Sequence, residues 1–269
     1  MVDVSGASVN SPTAKTSFDN FLGDQLSIEQ PVGGPHRAGL DAVLLGACIG
    51  ENETGTVIDL GAGVGVAGLC AAARAPACRV ILVERDEQSV ELARRNCQRN
   101  FGNSPGPARV SVVEIDITAN VTTREAAGLV REIADHVVMN PPFHTEGTVR
   151  RSPDDRRSDA HVLDTNGLLP WIKCAATHLK PGGRITIIFR ADGLDHLLRT
   201  LGRGFGNVRV KPVYPRPDAA ANRILLTAVK GSRAPLAIQP GFVLHEADGP
   251  GFSAEAEAIL RHGGGIEFG

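Results

Sequence analysis

The feature that most constrains the fold is an alternation of strand-like and helix-like segments that begins near residue 56. The strand-like segments of this alternation are apolar and cover residues 56–60, 79–83, 109–115, 135–139 and 184–189. The helix-like segment between the third and fourth of them covers residues 123–133. Strands joined through helices run parallel, and the helices cover both faces of the sheet. Two further strand-like segments, 208–213 and 223–229, have no helix between them and must pair antiparallel. The sequence therefore predicts a doubly wound α/β domain that ends in a hairpin.

The regions outside this alternation divide the chain into four parts. Residues 1–16 are small and polar without periodicity, which predicts a disordered N-terminus. Residues 17–55 are interpreted as a helical and loop extension over the active site. Residues 56–230 form the core domain, and 231–269 form a C-terminal extension that packs on the core and holds one short helix.

Composition and charge narrow the class of protein. The formal net charge is −2, so RNA binding would require a local basic patch. Five Cys without a C-x-x-C pair and eight His without ligand spacing predict neither a disulfide framework nor a metal site. No apolar run approaches the ~18 residues that span a bilayer, and no signal-peptide pattern is present. We expect a cytoplasmic protein without a membrane partner, and its oligomeric state stays open.

A glycine-rich run at residues 59–65 connects the first strand of the core to the following helix. Its glycines are Gly61, Gly63 and Gly65. Glycine permits positive φ angles and lets the backbone approach a ligand closely. The run lies at the carboxyl end of a strand, where open α/β sheets bind nucleotides. Glu84 follows the second strand and can accept hydrogen bonds from ribose hydroxyls, so the pair predicts an adenosine-containing cofactor.

The glycine run alone does not identify that cofactor. Gly63, Gly65 and Gly68 also satisfy the dinucleotide fingerprint, and Glu84 lies at the position expected for the acidic residue that binds the ribose. A nicotinamide-dependent dehydrogenase is therefore an alternative at this point. We find no residue suited to a part in hydride transfer.

A second motif, Asn140-Pro141-Pro142-Phe143, directly follows the fourth strand. Consecutive prolines force a rigid, extended backbone, so the Asn140 side-chain oxygen and the Pro141 carbonyl oxygen can converge on one point. Two acceptors match the two N–H donors of an amino group, and accepting both frees the nitrogen lone pair for attack. Phe143 offers a flat face on which a planar base can stack. The motif predicts chemistry at an exocyclic amino nitrogen.

Both motifs resemble those of class I methyltransferases that modify amino groups of adenine, guanine or glutamine. Gln30, residues 37–45 and the tail at 244–260 are similar to the bacterial tRNA adenine N6-methyltransferases that act near the anticodon of a valine tRNA. The resemblance implies a Rossmann-like, seven-stranded, mostly parallel sheet whose last strand is antiparallel. It also implies S-adenosylmethionine as the cofactor and RNA as the partner.

The resemblance further implies roles for individual residues. Asp59 and the three glycines would lie under the methionine part of the cofactor, with Glu84 on the ribose. Asp116, after the third strand, would meet the adenine amino group, although a helix N-cap is an alternative role for it. Asn140 belongs to the cofactor set as well as to the catalytic set. That catalytic set is Asn140, Pro141, Pro142 and Phe143.

The segment after the second motif carries the candidate substrate contacts, which are Phe143, His144, Arg150 and Arg151. Arginines beside the mouth of an active site can hold phosphates. Interleaved acids such as Asp154 equally suit a solvated loop. His144 is interpreted as a wall of the pocket, because methyl transfer from a sulfonium does not require a tuned general base.

The resulting hypothesis is methylation of adenine N6 in tRNA. The alternatives are guanine N2 methylation of rRNA, glutamine N5 methylation of a protein, and methylation of a small molecule. A non-catalytic module that binds RNA or cofactor is the alternative of a different class. The intact motif at residues 140–143 argues against such a module.

Overall fold

The computed structural model describes residues 15–32, 38–102, 108–142 and 167–268. The strands are β1 (Thr16–Phe21), β2 (Leu26–Pro31), β3 (Gly55–Leu60), β4 (Cys78–Glu84), β5 (Val110–Glu114), β6 (Ala134–Met139), β7 (Leu179–Arg190), β8 (Phe205–Tyr214), β9 (Arg223–Lys230), β10 (Ala237–Ile238) and β11 (Phe242–Val243). The α-helices are α1 (Leu40–Ala47), α2 (Val66–Arg74), α3 (Glu87–Phe101), α4 (Val121–Ala126), α5 (Leu168–His178), α6 (Leu194–Leu201) and α7 (Ala254–His262). Within the described ranges, none of these helices has the length and apolar character needed to cross a membrane.

A single sheet holds all the strands from β3 onward. Its order is β10-β8-β9-β7-β6-β3-β4-β5, and β11 also pairs with β8. Strands β3 to β7 are parallel to one another, whereas β9 is antiparallel to both β7 and β8. The predicted mostly parallel α/β sheet, with its last long strand antiparallel, is confirmed. The strand order reverses between β3 and β6, and open sheets bind ligands at such a switch point.

Two apolar layers cover the two faces of the sheet. In β3, Val57 packs in the layer that contains α1 and α2, while Ile58 and Leu60 pack in the layer that contains α5 and α6. Because both faces are buried, the second halves of β4 and β6 do not alternate polar and apolar residues: β4 contains the apolar run at residues 80–83 and β6 the run at residues 137–139. The core therefore fixes the carboxyl ends of β3, β4 and β6 rigidly.

The N-terminal extension requires a correction, because it contains strands as well as the expected helix α1. β1 and β2 form an antiparallel hairpin outside the main sheet, with Thr16 opposite Pro31 and Phe21 opposite Leu26. Leu26, Ile28 and Gln30 of β2 are buried, and the residues that alternate with them are half-buried. This period of two is the pattern of a strand with one face on the core.

Two smaller corrections concern the helices and edges of the core. A helix was expected over residues 123–133, but α4 ends at Ala126. Gly128, with a φ of +96°, turns the chain there. The short strands β10 and β11 extend the sheet beyond β8, within the C-terminal extension for which only one short helix was predicted.

Candidate cofactor and acceptor site

The candidate site lies at the carboxyl edge of the sheet, where β3 and β6 are neighbours. Leu60 is paired with Met139, so the next residues, Gly61 and Asn140, leave the sheet side by side. The helices that follow these two strands, α2 and α5, pack on opposite faces of the sheet, and open α/β sheets bind ligands where this occurs. Two motifs that are far apart in the sequence therefore meet at one place.

The glycine loop after β3 adopts left-handed backbone angles. The φ angles are +67° at Gly61, +56° at Gly63 and +97° at Gly65. The N–H of Gly61 donates to the carbonyl of Val83 at 2.8 Å, and the N–H of Gly63 donates to the Glu84 carboxylate at 2.8 Å. A Cβ at Gly63 would meet no atom within 4 Å. The loop therefore borders open space where a ligand can approach its backbone.

Trp171 of α5, the only Trp in the chain, packs against this loop. A Cβ at Gly61 would lie 2.3 Å from the indole Cη2, so only glycine fits beside the ring. Trp171 was not among the predicted site residues. Its signal in the sequence was its rarity alone, because nothing local relates α5 to the loop after β3.

Asp59 is buried under the loop, with 2% of its surface exposed. Its carboxylate accepts the backbone N–H of Gly68 at 2.8 Å. Burial raises the pKa of Asp59 to about 7; the Gly68 hydrogen bond opposes this shift, and the charge of Glu84 adds to it. A cation placed near Asp59 would favour its ionised form.

Glu84 joins the loops that follow β3 and β4. One carboxylate oxygen accepts the N–H of Gly63, and the other accepts the N–H groups of Arg85 and Asp86 at 2.8 and 2.9 Å. An ionised carboxylate has about four acceptor positions. It therefore keeps capacity for a hydroxyl donor while it orders both loops.

Asp116 follows β5, one strand beyond β4, and stabilises its own turn. One oxygen accepts both the N–H and the hydroxyl of Thr118 at 2.7 Å, and the other pairs with Arg85 at 3.0 Å. Burial alone would raise the pKa of Asp116, but these hydrogen bonds outweigh it and lower the pKa. Asp116 is not the N-cap of α4, because Asn120 occupies that position.

Asn140, directly after β6, carries a buried polar atom in its side chain. Its side-chain oxygen is buried and has no hydrogen-bond partner within the described part of the chain. An unsatisfied buried acceptor costs about 1–3 kcal/mol, and native proteins seldom keep one without a reason. Pro141 and Pro142 follow and carry no N–H that could satisfy it. The arrangement offers a hydrogen-bond acceptor to a ligand.

The remaining predicted site residues are the substrate contacts, and they lie outside the described residues. They are Phe143, His144, Arg150 and Arg151. Within the residues that the structure does describe, no group of three or more His, Cys, Asp or Glu side chains could hold a metal ion.

Known proteins resemble this chain in sequence and in fold. The model of the family "Methyltransferase small domain" matches residues 38–212. A tRNA1(Val) (adenine(37)-N6)-methyltransferase from Shewanella amazonensis is 30% identical over 79% of this chain and 83% of its own. A protein of the same name from Porphyromonas gingivalis is 34% identical over 69% of each chain. The crystal structure of a predicted O-methyltransferase from Agrobacterium tumefaciens has a TM-score of 0.69 and 31% identity, covering 84% of this chain and 98% of its own.

The fold and the site together define a Rossmann-like methyltransferase. Within that class, the chain belongs to the Methyltransferase small domain family. It is thus an S-adenosylmethionine-dependent methyltransferase, as its two motifs predicted. The site fits this cofactor, because the loop at Gly63 borders open space and Asp59 beneath it can balance a cation.

Proposed function

We propose that this protein transfers a methyl group to the N6 amino group of adenine in a tRNA. The observation that carries the proposal is the side-chain oxygen of Asn140 beside the glycine loop, which is buried and has no hydrogen-bond partner among the described residues. An amino group has two N–H donors, and this oxygen together with the Pro141 carbonyl provides two acceptors. A hydroxyl has one donor, so the pair favours an amine over the acceptor of an O-methyltransferase.

The cofactor supplies an electrophilic methyl group bonded to a sulfonium. In our proposal Asp59 and the loop glycines hold its methionine part, Glu84 accepts from its ribose hydroxyls, and Asp116 meets its adenine amino group. The bonds already made by Glu84 and Asp116 support this assignment, because they fix both carboxylates before a ligand binds. Such preorganisation lowers the cost of binding.

The chain's own contribution to the chemistry is to position the acceptor nitrogen. Asn140 and Pro141 accept its two hydrogens, Pro142 keeps the backbone rigid, and Phe143 stacks on the base. The nitrogen lone pair then points at the methyl group, and holding reactants in line lowers the barrier without a tuned base. The surplus proton leaves the methylated nitrogen for water. His144 forms a wall of the pocket, and Arg150 and Arg151 contact RNA phosphates.

The names of the relatives support an RNA substrate. Two curated relatives that match 69% or more of the chain are named tRNA adenine N6-methyltransferases. A tRNA substrate would place the protein in the cytoplasm. Guanine in rRNA, glutamine in a protein and a small molecule also carry amino or amide groups, so the assay must separate these acceptors.

The direct test is methyl transfer from radiolabelled S-adenosylmethionine into RNA from a strain that lacks this protein. Total tRNA, rRNA and soluble protein are offered separately, and labelled nucleosides are identified by mass spectrometry. We expect label in N6-methyladenosine of tRNA. Label in N2-methylguanosine, in rRNA or in protein would reject the proposed acceptor, and absence of label in every fraction would reject a macromolecular substrate.

A further inference from the structure

Asn96 is a buried amide on α3 that has no part in the chemistry proposed above. It is fully buried, with 0% of its surface exposed. A buried amide must satisfy its polar atoms within the protein. Its partners belong to two segments that are distant in the sequence, the N-terminal hairpin and the glycine loop.

On the hairpin side, Asn96 binds the backbone of β2 as a neighbouring strand would. Its side-chain oxygen accepts the N–H of Glu29 at 2.8 Å, and its NH2 donates to the carbonyl of Glu29 at 3.1 Å. One helical turn later, Asn100 repeats the pattern. It accepts from the N–H of Ser27 at 3.0 Å and donates to the Ser27 carbonyl at 3.1 Å. Two asparagines thus attach β2 to α3.

On the cofactor side, only the first of these two asparagines reaches the glycine loop. The Asn96 NH2 also donates to the carbonyl of Val64 at 3.0 Å. The third hydrogen bond of Asn100 returns instead to the carbonyl of Asn96 on its own helix. The two residues therefore share one function at the hairpin and differ in their contact with the loop.

The Val64 carbonyl belongs to a peptide group whose orientation matters for the loop. The same peptide group ends in the N–H of Gly65, which donates to the carbonyl of Ala62 at 2.9 Å. The peptide group is thereby held at both ends, and Gly65, with a φ of +97°, follows it directly. Without the Asn96 contact, the backbone freedom of Gly65 would let the peptide group rotate.

We propose that Asn96 is a positioning residue that couples S-adenosylmethionine binding at the glycine loop to the docking of the N-terminal hairpin. This inference rests on the cofactor of the proposed function and is independent of the acceptor. Coupling between two sites is reciprocal. The cofactor stabilises the docked hairpin, and the docked hairpin raises the affinity for the cofactor.

The test compares Asn96→Ala with the matched control Asn100→Ala. Both variants lose the paired hydrogen bonds to β2, and only Asn96→Ala loses the bond to Val64. We expect S-adenosylmethionine to bind about tenfold more weakly to Asn96→Ala by calorimetry, within the usual range of coupling between sites. Asn100→Ala should bind it within about twofold of wild type.

Hydrogen exchange at the Ser27 and Glu29 amides provides a readout that does not depend on turnover. Added S-adenosylmethionine should slow exchange at both amides in the wild type. Each variant is read at the amide whose acceptor it keeps: exchange should slow at Glu29 in Asn100→Ala, but not at Ser27 in Asn96→Ala. If Asn96→Ala does not fold, Asn96→Ser, which keeps a hydroxyl donor, replaces it. The proposal is overturned if the cofactor leaves β2 exchange unchanged in the wild type. It is also overturned if the two variants lose affinity equally, or if neither does.

Discussion

At the scale of single residues, Asn140 gives the candidate site a polar atom that lowers the stability of the folded state. The side-chain oxygen of Asn140 is buried without a partner in the described structure, and Pro141 and Pro142 offer it no N–H. Local features that weaken the folded state cluster at functional sites, because a ligand completes them. Removing this oxygen should therefore affect catalysis and folding in opposite directions.

We predict that Asn140→Ala lowers the single-turnover methylation rate by at least about 100-fold, because a preorganised contact to the reacting group is lost. Cofactor affinity should stay within about threefold of wild type, and the free energy of unfolding should stay equal or rise by up to about 1 kcal/mol. Asn140→Asp keeps an acceptor oxygen and should retain more activity. Parallel losses of rate, affinity and stability would mean that Asn140 supports the fold instead.

Asp59 gives the protein a pH dependence whose sign follows from its burial. Its pKa is raised from 3.8 to about 7 in the folded state. Its contribution to stability is therefore fully present below pH 4 and is lost as the pH rises through about 7. Asp59→Asn should not titrate, so its stability relative to wild type should increase by about 2–3 kcal/mol between pH 5 and pH 8. Urea unfolding of both proteins across this pH range measures the difference between their free energies of unfolding. A difference that does not change with pH would contradict a raised pKa of Asp59.

At the scale of elements, alanine substitutions at glycines with positive φ can separate the effect of a steric clash from the effect of backbone strain. Gly61 has the Trp171 ring against it, whereas Gly63 borders open space. Gly128 also has a positive φ, +96°, and open surroundings, but it precedes β6, at the opposite edge of the sheet. These three positions form a matched set.

We predict that Gly63→Ala and Gly128→Ala each cost about 1–2 kcal/mol of unfolding free energy, because alanine is strained at positive φ. Only Gly63→Ala should also weaken S-adenosylmethionine binding, since its methyl group enters the space next to the loop. Gly61→Ala should cost more than either, because its methyl group would overlap the indole. Denaturant unfolding and the quenching of Trp171 fluorescence on cofactor titration measure both quantities. Unchanged affinity in Gly63→Ala would place the cofactor elsewhere.

The elements that the sequence predicted are those with strong local signals. β4 and β6 contain the apolar runs at residues 80–83 and 137–139. Asp59 and Asn140 lie at strand ends beside glycines or prolines. The β1–β2 hairpin was missed because its stability comes from tertiary contacts, such as the bonds from Asn96 to Glu29. Asn96 and Trp171 were missed for the same reason, since their partners lie many residues away along the chain.

At the scale of the whole molecule, the C-terminal extension completes the core around α1. Ile259 of α7 is buried, with 1% exposed, in the same apolar layer as Leu44 and Leu45. The chain then continues to Ile266, whose N–H donates to the carbonyl of Ala47 at 2.8 Å. Arg74 binds the carbonyl of Gly263 and fixes the same segment to α2.

We predict that Ile259→Ala lowers the free energy of unfolding by about 2–4 kcal/mol, as expected for a buried aliphatic side chain. Ile238→Ala, on the exposed strand β10 with 68% of its surface accessible, should change it by less than about 0.5 kcal/mol. Cofactor affinity should be the same in both variants. A negligible effect of Ile259→Ala would show that α7 is peripheral to the fold.

The measurement that tests the central claim most directly is the N6-methyladenosine content of tRNA in cells that lack this protein. Deletion should remove the modified nucleoside from a specific tRNA. Wild-type protein should restore it, whereas Asn140→Ala at equal abundance should not. An unchanged N6-methyladenosine content after deletion, or full restoration by Asn140→Ala, would contradict the account.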